Sequence, residues 1–532
     1  MGPKSPRGKP RTDPYSRLLY RFYEPLILLR ALGQTRGKHT SSPQDASPTE
    51  SRRRRLLRNL SYLCDYEKGG ETTSAIGLEE NEQCFVFWVS SNANRSRSKI
   101  VQFLESRLTE VPHISMLENE QRNVAETKFI RTCIKFAEHR VKKEKTMLSK
   151  AIEKCKRYLD STRGEDSQLS SWLSQFTSKK AGSVADLCFR VYDQRRAPEM
   201  RCLEGKINMN NGESGHDVHS VAFNELHHRL GRLAHHVRAA KEVVDDSTAL
   251  PHLFDVYRVC PVESVPCNER PQVDSHTELH SILGRMLPAN NSRLEEYKEH
   301  LTSLDRKLAI TERVHQHYED GNFKPCIHAE IQVLEHFRTK KLRFADNDSY
   351  IGCSKPACYC CHLYFRHHES RPVEPESHQK IYLNWGVPAL ANGAKDPGYI
   401  AQRDLMNKMV VAFREEALAQ IIRQANPPRW HADSHTDITI STIGLSSAVG
   451  DPKIISLEEQ LAALDIEPTQ AIVIPNTKIP SATIEDLSGS SLEGEVSSSH
   501  GFPDEDTLEI DSDSDSDFES GGVSLLSRTS SM

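Results

Sequence analysis

The pattern of apolar and polar positions changes several times along this chain. Over 119–160, Ile130, Ile134, Ala137, Val141, Leu148, Ile152, Cys155 and Leu159 step by three, four or seven. One stripe at that spacing predicts a long amphipathic helix. Ala222, Leu226, Leu230, Leu233, Val237, Ala240 and Val244 predict a second over 217–245. Earlier, the runs 74–78 and 84–89 flank a polar stretch and read as a hairpin whose second strand is buried. Past 290 helices and short apolar runs alternate. Ser292 with Glu295 makes a capping box that opens a helix through Leu294, Tyr297, Leu301, Leu304 and Leu308. After a short run at 323–326, the pattern predicts a helix at 328–338, a strand at 350–353 and a helix at 357–367. A strand at 380–384 and a helix at 399–423 follow, the latter closed by Pro427-Pro428, with a further strand at 438–443.

These elements divide the chain into four parts. A basic, largely disordered arm (1–50) holds one short helix through Leu18, Leu19, Phe22, Leu26 and Leu29. A mostly helical accessory region (51–270) precedes an α/β domain (271–430), and a linker with an acidic Ser/Asp-rich disordered tail (431–532) follows. Charge sharpens this division. Residues 1–60 carry 14 Lys/Arg against 4 Asp/Glu, and 485–532 carry 13 Asp/Glu against Arg528 alone. The remainder is nearly neutral within a net charge of −5, so the bulk basic balance that would announce a nucleic-acid binder is absent. The acidic tail is a candidate surface for protein partners. Arg52–Arg55 reads either as an import or nucleic-acid patch or as the solvated first turn of a helix, the second being favoured. No run approaches the ~18 apolar residues of a spanning helix, and 1–10 is polar and basic. The expectation is an intracellular protein, cytoplasmic or nuclear and off the membrane, whose 13 cysteines are thiols.

Two groups of residues suggest metal. His216, His219, His227, His228, His235 and His236 crowd the second predicted helix, but none shows the His-x-x-x-His spacing of a helical zinc site, and they read as solvated. The other group is stronger. Cys326, Cys353, Cys358, Cys360 and Cys361 fall within 36 residues. Cys326-Ile327-His328-Ala329-Glu330 puts H-x-E at a helix start, and Ser354-Lys355-Pro356-Ala357-Cys358-Tyr359-Cys360-Cys361 puts C-x-x-C at the start of the next. Cys358 and Cys361 share a helix face, His328 supplies a third ligand, and three protein ligands leave zinc an open position. Glu330 falls on another face and is placed to move a proton rather than to ligate. Cys360, Cys353 and Cys326 keep a closed four-cysteine structural site open as an alternative.

H-x-E followed by C-x-x-C on the next helix is the zinc deaminase pattern. In the H-A-E-I-Q string at 328–332, S-K-x-x-C-x-x-C at 354–361 and H-x-K-I-Y-x-x-W at 378–385, the chain resembles the fungal branch of the nucleic acid and nucleotide deaminase superfamily. Ala357 separates Pro356 from Cys358, a departure from the prototype. The resemblance implies a cytidine-deaminase-like fold, a mixed sheet sandwiched by helices, with His328, Cys358 and Cys361 on Zn2+ and Glu330 as proton shuttle. It implies hydrolytic deamination of a cytosine or adenine base in a nucleotide or nucleic acid, with zinc hydroxide attacking C4 or C6 and ammonia leaving. His378, Trp385 and Tyr359 are weaker candidates for stacking the base, against a plain core role. A catalytically silent deaminase-like interaction module and a structural zinc domain are the competing readings.

Overall fold

The computed structural model describes residues 13–427, apart from 43–45, 94–96, 162–166, 178–181, 209–217, 289 and 320–323. The tail from 431, the strand expected at 438–443 and residues 1–12 of the arm therefore lie outside the described residues.

A four-stranded sheet organises everything else. β1 (Ser74–Glu80) and β2 (Phe85–Ser91) form the expected hairpin, closed by Asn81, whose side chain accepts from the backbone of Gln83 and Cys84, both at 2.9 Å. β3 (Tyr257–Pro261) runs parallel to β2, and β4 (Ile351–Cys353) antiparallel to β1, giving the order β3-β2-β1-β4. Successive side chains of a strand point to opposite faces, and both faces here are apolar. Ile76, Leu78, Phe87 and Val89 enter one core, whereas Ala75, Trp88 and Ile351 enter or border another.

Helices α2 (Pro48–Cys64), α3 (Arg97–Ser115), α4 (Asn119–Phe136), α5 (Glu138–Ser161), α6 (Ser167–Thr177), α7 (Val184–Asp193), α8 (Pro198–Asn208) and α9 (Val218–Ala249) build the first core, with α9 at its centre. α1 (Pro14–Leu32), α10 (Leu279–Met286), α11 (Leu294–Leu308), α12 (Ile310–Glu319), α13 (Ala329–Lys340), α14 (Tyr359–His367) and α15 (Tyr399–Arg423) build the second. Two glycines set the distance between layers. A Cβ on Gly77 would sit 2.7 Å from Val333 Cγ1 on α13, and one on Gly352 would sit 2.5 Å from the Leu57 backbone on α2. The fold is thus a mixed α/β sheet between helical layers. No helix among the described residues is long and apolar enough to cross a membrane.

Several expectations need correction. The arm is not loose between 13 and 42: Phe22, Tyr23 and Leu26–Leu29 of α1 are fully buried, because the helix is apolar on most of its circumference. The boundary at 270 is not a break, since three strands lie before it and the fourth after. The helix at 119–160 is two, α4 and α5, parted at Ala137 (φ −94°, ψ 20°) while the apolar stripe runs on. Arg293, not Ser292, precedes α11, and no side chain caps it. The stretch 380–384 is not a strand. Lys380 and Trp385 form single bridges with different segments, Thr35 and Cys326, and Gln379 has φ +52°.

The basic block is neither patch nor solvated turn. Arg53 is buried and pairs with Asp346 and, at 3.2 Å, with Asp348. Arg54 reaches Asp348 at 2.8 Å and Arg55 reaches Asp246 at 2.5 Å. Three consecutive guanidiniums therefore tie α2 to the turn before β4 and to α9. The histidine reading fails at two positions as well. His236 is buried and His235 half-buried against α2, where His235 meets the Tyr62 ring edge-on and His236 Nε2 lies 3.1 Å from Glu144.

Candidate metal centre

His328 is the residue immediately before α13 and Cys358 the residue immediately before α14, so two helix N-termini meet. His328 Nδ1 lies 3.3 Å from Cys361 Sγ and 3.6 Å from Cys358 Sγ. One ligand atom from each of the three falls within 4.8 Å of the others, and all three residues are buried. Among the described residues no other group of three or more His, Cys, Asp or Glu converges in this way.

Each arm of the cluster is held by groups distant in sequence. Asn92 Oδ1 accepts from the Ala329 backbone N–H at 2.8 Å and so caps α13. The cysteine loop is fixed on its other side. Ser354 donates its backbone N–H to Ser74 (2.9 Å) and its hydroxyl to Asp65 (3.3 Å), and Lys355 lies 3.8 Å from the same carboxylate. The Ala357 N–H donates to the Glu376 carbonyl at 2.7 Å and the Tyr359 N–H to the Lys380 carbonyl at 2.9 Å. The stretch 376–380 therefore serves as a brace for the C-x-x-C turn.

The electrostatics favour an anionic sulfur at Cys358. Burial opposes ionisation of Cys358, but its hydrogen bond with Cys361 and the adjacent His328 charge outweigh that and bring the thiol down to about 6. Burial disfavours a charged His328, yet Cys358 and the nearby Cys326 hold the imidazolium well above the ordinary histidine range. Burial and the Cys358 charge push Cys361 up, which a divalent cation would reverse. One imidazole and two thiols, buried and convergent, are a donor set that zinc takes. The residues fit the ion.

Glu330 borders the cluster without joining it. It is buried, accepts from the Cys353 thiol (Sγ to Oε2 3.9 Å) and contacts Cys361. Cys326, Cys353 and Cys360 lie outside the three-donor group, so the four-cysteine alternative does not assemble. Cys360 is fully buried among apolar side chains.

The three expected base-stacking residues sit in the interior. The Tyr359 hydroxyl donates to Glu416 at 2.7 Å with its ring tilted against Phe413, toward α15. His378 is buried, its Nδ1 accepting from the Lys380 N–H at 3.1 Å and its ring edge-on to Tyr382. Trp385 is fully buried and stacked on Phe22, with ring centroids 5.5 Å apart. Its indole N–H donates to Cys361 Sγ at 3.2 Å, so it bears on a ligand atom. Asn92 and Asp65, which position the two helix starts, carried no local signal in the sequence.

Residues 327–389 match the family described as OTT_1508-like deaminase, a span that holds His328, Glu330, Cys358, Cys361, His378 and Trp385. This segment is a deaminase-like domain of the nucleotide deaminase superfamily. It is a small part of the 532 residues. No curated protein and no solved structure matches the chain.

Proposed function

We propose that the deaminase-like domain is a zinc-dependent hydrolase that removes the amino group of a cytosine or adenine base, presented as a nucleotide or within nucleic acid. The observation that carries this reading is Glu330, a buried carboxylate beside three convergent donors and outside their ligand group. A structural zinc site has no use for it. His328, Cys358 and Cys361 hold the ion, and three protein donors leave a position for a ligand that is not protein. Bound zinc supplies Lewis acidity that makes water a stronger acid.

The proton work belongs to Glu330. Its carboxylate takes a proton from water as the water oxygen bonds to C4 of cytosine or C6 of adenine. It delivers that proton to the ring nitrogen beside that carbon, then carries the proton of the new hydroxyl to the amino nitrogen as the C–N bond breaks, so ammonia leaves and the ring keeps a carbonyl. Cys353 holds one oxygen of Glu330 and Trp385 holds Cys361, so little reorganisation is needed. In the same reading the chain is intracellular, with the acidic tail available to protein partners.

One observation favours a second reading. Glu330, Cys358 and Cys361 are 4%, 3% and 0% exposed, a degree of burial that suits a silent module whose metal is structural. Glu330→Gln separates the two. The side chain is nearly isosteric and the donors are untouched, so zinc content stays the same. Ammonia release, screened over nucleosides, nucleotides and single-stranded oligomers, falls by about 10²–10⁴-fold. A parent protein inactive across that screen, with one zinc bound, supports the silent module instead. Loss of zinc in the Gln variant makes Glu330 a ligand and defeats the deaminase reading.

A further inference from the structure

A cavity of about 450 Å3 lies between α1, α10 and α15, and none of its lining residues belongs to the metal centre. α1 contributes Arg17, Arg21 and Glu24, whose spacing puts them on one helix face. α15 adds Arg414 and α10 adds Arg285. The single carboxylate is already committed. Glu24 is buried and takes Arg285 in a two-point bond, at 2.9 Å from Nε and 2.8 Å from Nη2.

Arg21 and Arg414 have no carboxylate and no side-chain hydrogen bond among the described residues, and Arg414 Nε is buried without a partner. Burial, and then the charge of Arg21, lower the Arg414 pKa. Like charges at one cavity wall repel, and the half-buried one has also lost hydration. Folding alone gains nothing from that arrangement. A bound anion offsets both costs, and guanidinium forks match phosphate oxygens. Below the arginines the wall is apolar, built from Pro25, Ile282 and Met286 with the Tyr20 ring beside them. The volume falls within the ~300–1,000 Å3 usual for small-molecule sites.

We propose that this cavity binds a small phosphate-bearing anion through Arg17, Arg21 and Arg414, at a site separate from His328, Cys358 and Cys361. The inference does not depend on the deaminase reading. Phe22, on the same helix, stacks on Trp385, so α1 runs from this cavity to the residue that donates to Cys361.

Calorimetric titration of the full chain with inorganic triphosphate, with nucleoside triphosphates and with a single-stranded oligonucleotide tests it. The expected result is one-to-one binding of a free phosphate compound near physiological salt, weakened at least tenfold by combined Arg21→Gln and Arg414→Gln. Combined Arg306→Gln and Lys408→Gln removes the same charge from exposed positions and leaves binding unchanged. Without ligand, the Arg21/Arg414 variant melts no lower than the parent, since it loses two unpartnered charges. Equal weakening by the control pair reduces the effect to general electrostatics and overturns the proposal. So does binding of the oligonucleotide alone, or a large drop in melting temperature for the ligand-free cavity variant.

Discussion

Trp385→Phe tests whether the metal centre is supported from the core. The indole N–H donates to Cys361 Sγ at 3.2 Å, its ring lies on Phe22, and Tyr364 meets it edge-on. Phenylalanine keeps a ring but removes the donor. A hydrogen bond to a charged acceptor contributes about 1.5–3 kcal/mol. At about 1.4 kcal/mol per tenfold, zinc affinity should fall by roughly 10–150-fold, in line with the ~10–100-fold effect usual for groups that orient metal ligands. The lost ring volume also destabilises the fold, by about 1–3 kcal/mol. Phe22→Leu separates the two effects, because it opens a void against the same indole and leaves the N–H in place. Zinc affinity is measured by competition with a chromophoric chelator, well below the melting temperature of each variant. Trp385→Phe should bind zinc at least tenfold more weakly, whereas Phe22→Leu stays within about threefold of the parent. Equal affinity in Trp385→Phe, or an equal loss in Phe22→Leu, refutes the argument that the indole bond steadies Cys361.

Cys358→Ser and Cys361→Ser should each abolish the one zinc per chain found by elemental analysis, while Cys360→Ser keeps it, since Cys360 lies outside the donor group. A Cys360 variant stripped of metal overturns the ligand assignment. The fold should be acid-labile. Burial raises the Glu335 carboxyl, but His368, Arg338 and Tyr364 bring it down to about 2, and the fully buried Glu144 is held well below 4.5 by Arg232, His236 and Arg140 against the same burial. Both folded values lie below the unfolded ones, so their stabilisation is complete above pH ~5 and drains as pH falls through 4.5, on the order of 3 kcal/mol in all for Glu335. Buried His236, lowered from 6.5 mainly by desolvation, adds a loss below about pH 6.5. Denaturant midpoints at pH 7 and pH 4 check the sign, and equal midpoints contradict it. Phe22→Ala should cost about 3–5 kcal/mol in the same assay, because α1 is core. A cost under 1 kcal/mol would return residues 13–42 to the status of a loose arm.

What could be read from the sequence was local. The convergence of His328, Cys358 and Cys361 was legible because their spacing on two consecutive helix starts is itself the geometry of the cluster. The bounds of α15 and the hairpin were legible for the same reason, as periodicity and turn chemistry act within a few residues. Trp385 stayed open between substrate and core in the sequence because an aromatic residue near a metal-binding motif looks the same in either role. The deciding partner is Phe22, more than 300 residues away in the chain. Composition misled in the arm. Lys, Arg and Pro around α1 resemble a disordered segment, yet the apolar stretch inside it is a central piece of the second core.

The arginine block and the buried histidines expose one physical cause behind the remaining misreadings. A charge is read as solvated unless a partner lies nearby in sequence, and here the partners do not. Arg53 and Arg54 find Asp348, Arg55 finds Asp246, and His236 finds Glu144. Arg140 then reaches Glu144 at 3.4 Å and Asp65 at 3.3 Å, and Asp65 faces Ser354 and Lys355 at the start of the cysteine loop. The buried charges thus form a continuous chain from α5 and α9, through α2, to the residues just before Cys358. Buried ion pairs of this kind contribute little net stability, but each is costly to break, and they permit one arrangement of their neighbours. Here that arrangement fixes the turn on which Cys358 and Cys361 of the His/Cys/Cys cluster stand. The helical layer before the deaminase-like segment is for that reason part of the support of the His328, Cys358 and Cys361 cluster, and the segment 327–389 lacks both Asp65 and Asn92 that hold it.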